Sequence, residues 1–162
     1  MPASPITNEI FMSPLTTIPS SELANDKDAR LWALIMYLAE HKEAQTLPGL
    51  KSFWLAYIYD AEVQNGGHLQ YFHNRGSASV PETLEALRTI GADRQVELLR
   101  DCWADLANTP VPQTESLQAY ADLAAEDRFE RQDSEYYEQQ PEVLERLGTH
   151  YETQLVEWVA VA

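Results

Sequence analysis

From Asp26 onward the apolar residues return at intervals of three and four, the spacing that gathers them on one side of an α-helix. Leu31, Leu34, Ile35 and Leu38 form the first stripe, and Pro48-Gly49 closes it. Leu50, Phe53, Trp54, Tyr57, Ile58 and Ala61 form the second. It stops at Asn65-Gly66-Gly67, residue types that tolerate the left-handed backbone of a helix end. A short segment from His68 to Asn74 and a turn at Gly76-Ser77 follow. Ser79-Val80-Pro81-Glu82 has the spacing of a capping box and predicts Ser79 as the N-cap of a helix carrying Leu84, Leu87 and Ile90, stopped by Gly91. Val96, Leu99, Trp103 and Leu106 mark the next helix, and Pro110 and Pro112 break the chain again. Leu117, Tyr120, Ala121 and Ala124 mark another, with a bend expected near Asp127–Phe129. The last helix starts around Pro141 and carries Leu144, Leu147, Tyr151, Leu155 and Trp158.

No segment shows the alternation or the β-branched run of a strand, so none is predicted. Residues 1–24 hold Pro2, Pro5, Pro14 and Pro19 among Ser and Thr and read as an irregular arm, with a helical turn near Ile10–Met12. Residues 25–162 read as one all-α domain, a bundle of about six or seven helices joined by short Pro/Gly loops.

Composition supports a real core. Hydrophobic residues are 44% of the 162, with 4 Trp and 8 Tyr, which excludes a chain too polar to fold. Cys102 stands alone, so no intrachain disulfide can form and a reducing compartment fits. No run approaches the roughly 20 apolar residues of a membrane span. The first twenty residues contain no Lys or Arg and no long apolar core, unlike a secretory signal. A cytoplasmic protein is expected.

Charge changes the picture most. The formal net charge is −15, from 26 acidic and 11 basic residues. Such a surface repels nucleic acid and anionic lipid and attracts cationic proteins. Binding DNA directly needs clustered Lys and Arg, which the chain lacks. Between Glu115 and Glu157 twelve acids face only Arg128, Arg131 and Arg146, so this stretch carries −9 of the total. One helix running through it would align Asp122, Glu126, Glu130 and Asp133 on a single face, with Glu138, Glu142 and Glu145 continuing the spacing across the interruption at Pro141. A solvated face that keeps the protein soluble is the plainer reading. Yet too few cations are present to pair the row at i,i+4, and like charges at that spacing cost stability; a cationic partner is one candidate to offset them.

Enzymatic chemistry has weaker support. Asp60, Glu62, His68 and His73 are ligand types for zinc or iron. However, His68 and His73 are five apart and fall on different helix faces, and His41 and His150 are isolated. Cys102 lies on an apolar stripe, where a cysteine behaves as a small inert hydrophobe. No Ser-centred elbow or phosphate-cradling loop occurs, and Asn65-Gly66-Gly67 is too short for a nucleotide fingerprint. No enzyme, metal or cofactor is expected.

The segment Tyr59-Asp60-Ala61-Glu62-Val63-Gln64-Asn65-Gly66-Gly67-His68-Leu69-Gln70-Tyr71-Phe72-His73-Asn74 resembles a family marked by Glu-Val-x-Asn-Gly-Gly, then Gln, two aromatics and Asn. The resemblance continues at Ala86-Leu87, Ile90-Gly91-Ala92, and Phe129-Glu130 through Asp133, Tyr136 and Tyr137, covering roughly residues 30–155. His68 departs from it, because Phe is usual there. This family was long a domain of unknown function, and its best-studied kind is an acidic DNA mimic. The resemblance implies an all-α homodimer whose carboxylates imitate DNA phosphates on the DNA-binding face of a helix-turn-helix transcription factor and so relieve repression. Within the motif, Glu62, Asn65, Gly66, Gly67, Gln70, Tyr71, Phe72 and Asn74 read as structural. Asn65, Gly66 and Gly67 end the helix, Gln70 and Asn74 satisfy backbone groups, and Tyr71 and Phe72 pack in the core.

The expected partner is therefore a basic DNA-binding protein or another cationic protein, with no direct contact to nucleic acid or membrane. Asp122, Glu126, Asp127, Glu130, Asp133, Glu135 and Glu138 are the expected contact carboxylates. An acidic protein neutralising a toxin or an enzyme is the alternative, and a metal-dependent enzyme using Glu62 with His68 or His73 is a third. B-DNA presents about one charge per 1.7 Å of axis, whereas carboxylates on one helix face lie roughly 5–6 Å apart. One row is about three times too sparse. Mimicry requires several parallel rows, from neighbouring helices or a second subunit.

Overall fold

The computed structural model describes residues 13–162. The expected turn near Ile10–Met12 lies outside them. Among the described residues there are nine α-helices and one two-stranded sheet. No helix is long and apolar enough to cross a membrane. The described residues form two compact units, one of residues 13–54 and 147–162, the other of residues 55–146.

In the first unit, strand β1 (Thr16–Ile18) pairs in parallel with strand β2 (Val159–Val161), Thr16 opposite Val159 and Ile18 opposite Val161. These strands correct the expectation of none. Each is only three residues long and pairs with the other end of the chain, so neither leaves a local alternating pattern. Helix α1 (Ser20–Asn25) follows directly, so residues 16–25 are regular structure where an irregular arm was expected. Helix α2 (Ala29–Glu40) buries the predicted Leu31, Leu34, Ile35 and Leu38, with Ala29 added. It ends at Glu40, well before Pro48-Gly49, and a 3₁₀ turn at Ala44–Thr46 fills the gap. The predicted final helix is two, α8 (Val143–His150) and α9 (Glu152–Trp158), with buried Tyr151 between them. Tyr151 meets Phe53 edge to face at 5.4 Å. The Arg30 guanidinium donates to the Val159 carbonyl at 3.2 Å and ties α2 to β2.

Helix α3 (Leu50–Arg75) is two helical runs broken at Gly66 and Gly67. Its buried side is Leu50, Phe53, Ala56, Tyr59, Asp60 and Val63, while Trp54, Tyr57, Ile58 and Ala61 are only half-buried. Apolar residues surround this helix, so periodicity alone did not select the inner side. In the second unit, α4 (Val80–Thr89) packs on α5 (Asp93–Leu106). Gly91 makes the turn at φ +72°, with the Ala92 amide donating to the Leu87 carbonyl at 2.9 Å, a Schellman closure. Ser79 precedes α4 as expected, but its side chain makes no cap bond; its carbonyl instead accepts from the Thr83 hydroxyl at 2.9 Å. Helix α6 (Leu117–Ala124) buries no residue, and Leu117, expected on its apolar side, is 86% exposed. Helix α7 (Glu130–Tyr137) packs against α5.

Candidate functional site

The motif of α3 and the segment of α7 that shares its resemblance meet in one polar knot. Gly67 sits at φ +72° and ψ −178°, a region open essentially only to glycine. Any Cβ there would collide with the Asp133 carboxylate. That carboxylate accepts from the His68 backbone amide at 2.9 Å and from His68 Nδ1 at 2.6 Å. His68 is fully buried, and its Nε2 lies 2.8 Å from the Tyr59 hydroxyl. Burial, reinforced by Cys102, Tyr71, Asp60 and Asp133, holds the Tyr59 pKa well above its ordinary value, so the hydroxyl keeps its proton. A carboxylate only accepts, so Nδ1 carries the hydrogen donated to Asp133.

Two more tyrosines bind the same elements. Tyr136 donates to Asp60 Oδ1 at 2.6 Å, and Tyr137 donates to the Val63 carbonyl at 2.8 Å. Burial raises the Asp60 pKa, the Tyr136 and Gln64 hydrogen bonds oppose it, and the charge of Glu142 adds to the rise.

Glu62 organises the other side of the motif. Its Oε2 accepts from Gln70 and Asn74, each at 2.9 Å, and its Oε1 accepts from Arg75 at 2.8 Å. Burial acts to raise its pKa, but these hydrogen bonds and the Arg75 charge outweigh it and hold the carboxyl below the ordinary range. Gln70 and Asn74 thus satisfy a carboxylate, not the backbone groups expected. Tyr71 and Phe72 are buried, as expected. Asn65-Gly66-Gly67 interrupts the helix, which resumes and runs to Arg75. At Gly66 a Cβ would meet the Gln70 side chain.

The arrangement does not assemble Glu62, His68 and His73. Glu62 is held by Gln70, Asn74 and Arg75, His68 by Asp133 and Tyr59, and His73 Nε2 lies 3.0 Å from the Thr114 hydroxyl. Among the described residues no group of three or more His, Cys, Asp or Glu is placed to hold a metal ion. Burial, with Asp133, Asp101 and Asp105 nearby, pushes the Cys102 thiol far up.

The late carboxylates do not form the single row that a continuous helix would give. Asp122 lies on α6, Glu126 and Asp127 in the break after it, and Glu130 opens α7. The bend falls at residues 125–129, where Asp127 takes φ +49°. Asp122, Glu126, Asp127, Glu130 and Glu138 are exposed. Asp133 is turned inward to His68, and Glu135 bridges Arg94 and Arg131, whose hydrogen bonds hold its pKa down.

A second row went unremarked in the sequence. Asp93, Glu97, Asp101 and Asp105 follow one another at i,i+4 along α5, all exposed. Their i,i+4 spacing is itself the sequence signal, and Arg94 and Arg100 on the same helix keep its net charge small. This row adjoins α7, and arginines stitch the two together. Arg94 reaches Glu97 and Glu135, Arg131 reaches Asp101 and Glu135, and Arg128 reaches Asp105 at 2.8 Å.

The fold and this surface define an acidic helical protein with an exposed carboxylate row along α5 and a buried polar knot joining α3 to α7. Residues 45–159 match the DMP19-like protein family, and the chain belongs to that family. Neither a curated protein nor a solved structure matched it.

Proposed function

We propose that this chain is a non-catalytic regulatory protein of the cytoplasm that covers the DNA-binding face of a basic, helix-turn-helix transcription factor. The carrying observation is the α5 row, Asp93, Glu97, Asp101 and Asp105, set beside the acids of α7. One i,i+4 row offers a carboxylate about every 6 Å of helix axis. A second full row beside it would bring this to about 3 Å, still nearly twice the spacing of DNA charge, about 1.7 Å, and α7 does not supply one, because Asp133 is turned to His68 and Glu135 lies between two arginines. Arg94, Arg128 and Arg131 neutralise part of even that. The proposal therefore includes a homodimer, whose second set of rows supplies the missing density. The membership in a family whose characterised kind is a DNA mimic supports the same reading.

The test is binding to purified helix-turn-helix proteins across a salt series, with light scattering to give the mass of the free chain. Binding should weaken steeply with salt and require the dimer. Salt-independent binding would sink the electrostatic account. Capture of an enzyme in place of a DNA-binding protein would replace it with the neutralising role.

A further inference from the structure

We propose that the cleft beside the family motif receives an arginine side chain of the cationic partner. The proposal rests on the function above and gives it a specific docking point. The cleft, of about 500 Å³, is lined by Asn65, Gln70, His73 and Asn74 of α3 and by Thr114–Leu117 and Tyr120.

Its amides are held in place from behind. Asn65 donates to Gln70 Oε1 at 3.0 Å, while Gln70 and Asn74 donate to Glu62 at 2.9 Å. Asn74 Oδ1 lies 3.2 Å from His73 Nδ1 and keeps a second lone pair. Both asparagines are exposed. Glu115, also exposed, is the only formally charged residue in the lining. The start of α6 opposes it with about half a positive charge, against the full charge of the carboxylate. Glu62, behind the amides, is ion-paired with Arg75 at 2.8 Å, so Glu115 supplies the charge of the cleft.

These groups suit a guanidinium better than an ammonium. A guanidinium carries five donors in a plane and stacks on aromatic faces. The cleft offers amide oxygens, a carboxylate, and the His73–Tyr120 ring pair with centroids 4.8 Å apart. Leu117, 86% exposed at the rim, gives the aliphatic stem an apolar surface.

The experiment titrates the full chain with N-acetyl-arginine amide, following side-chain amide and aromatic resonances by NMR. The lysine and citrulline analogues serve as probes of charge without the plane and of shape without the charge. Saturable shifts at Asn65, Asn74 and Tyr120 are expected with arginine, at least threefold weaker with lysine and absent with citrulline. Glu115→Gln should weaken the arginine response at least threefold, and Glu126→Gln, outside the cleft, should not. Equal responses to arginine and lysine, shifts spread over the α5 carboxylates, or no shift at the cleft would overturn the proposal. If the probe binds but helix-turn-helix proteins do not, the function above fails and the cleft stands. If those proteins bind equally well to Glu115→Gln, the cleft fails and the function stands.

Discussion

Replacing Gly67 by Ala attacks the knot at its tightest point. The backbone there, φ +72° and ψ −178°, costs a non-glycine residue about 1–3 kcal/mol. The new methyl would also displace the Asp133 carboxylate from the His68 amide and ring. Loss of hydrogen bonds to a charged acceptor adds about 1.5–3 kcal/mol. The expected total is about 2.5–6 kcal/mol, a large part of a typical domain stability of roughly 5–15 kcal/mol. Urea unfolding followed by tryptophan fluorescence measures it. Gly76→Ala is the control, because Gly76 has φ +66° but nothing within 4 Å of its missing Cβ. That variant should cost about 1–2 kcal/mol, the left-handed penalty alone. A double-mutant cycle with Asp133→Ala should show a coupling above about 0.5 kcal/mol, since both changes act on one contact. If Gly67→Ala costs no more than Gly76→Ala, or if the two changes simply add, the knot is not what demands glycine.

Asp60 has a raised pKa, so its ionised form burdens the fold: its contribution is most favourable below the unfolded value and declines as pH rises toward the folded one. Asp60→Asn keeps an oxygen for Tyr136 and loses the charge; its advantage over the wild type in urea midpoint should grow between pH 4 and pH 7, roughly the window above the unfolded carboxyl value. An advantage constant with pH contradicts this. Glu62 is the opposite case, with a lowered pKa, so its stabilisation is present above the unfolded value and lost as pH falls through the folded one. Glu62→Gln should cost about 1.5–3 kcal/mol at neutral pH and progressively less in acid; a pH-independent cost would refute the charge's role. Buried Cys102 should react with an aromatic disulfide reagent only as fast as the chain unfolds, and a fast native reaction would show that the thiol is accessible.

The helices of the second unit were largely legible because their apolar spacing is local. Leu84 and Leu87 of α4, and Val96 and Leu99 of α5, are buried as their periods require. Where aromatics ring a helix, as along Leu50–Tyr59, the inner side depends on neighbours that periodicity does not name. Strands β1 and β2 were illegible because each is defined only by the other. The motif was visible as a pattern, but not its reason. Gly67 makes room for Asp133, a partner of His68 65 residues away. That contact also turns Asp133 inward and leaves it half-buried, and Arg94 and Arg131 engage Glu135. Counting carboxylates along the chain could not separate them from exposed Glu130 and Glu138, because the difference lies in what each side chain touches.

The central claim is that exposed carboxylate rows occupy the DNA-binding face of a basic transcription factor. Its most direct measurement is competition: a helix-turn-helix protein bound to labelled operator DNA is titrated with the wild-type chain and with a variant carrying Asp93→Lys, Asp122→Lys, Glu130→Lys and Glu138→Lys. All four positions are exposed, and none belongs to the buried knot. The account predicts that the wild type releases the DNA, less effectively as salt rises, and that the variant remains folded and does not. Equal release by both, or release insensitive to salt, would contradict it.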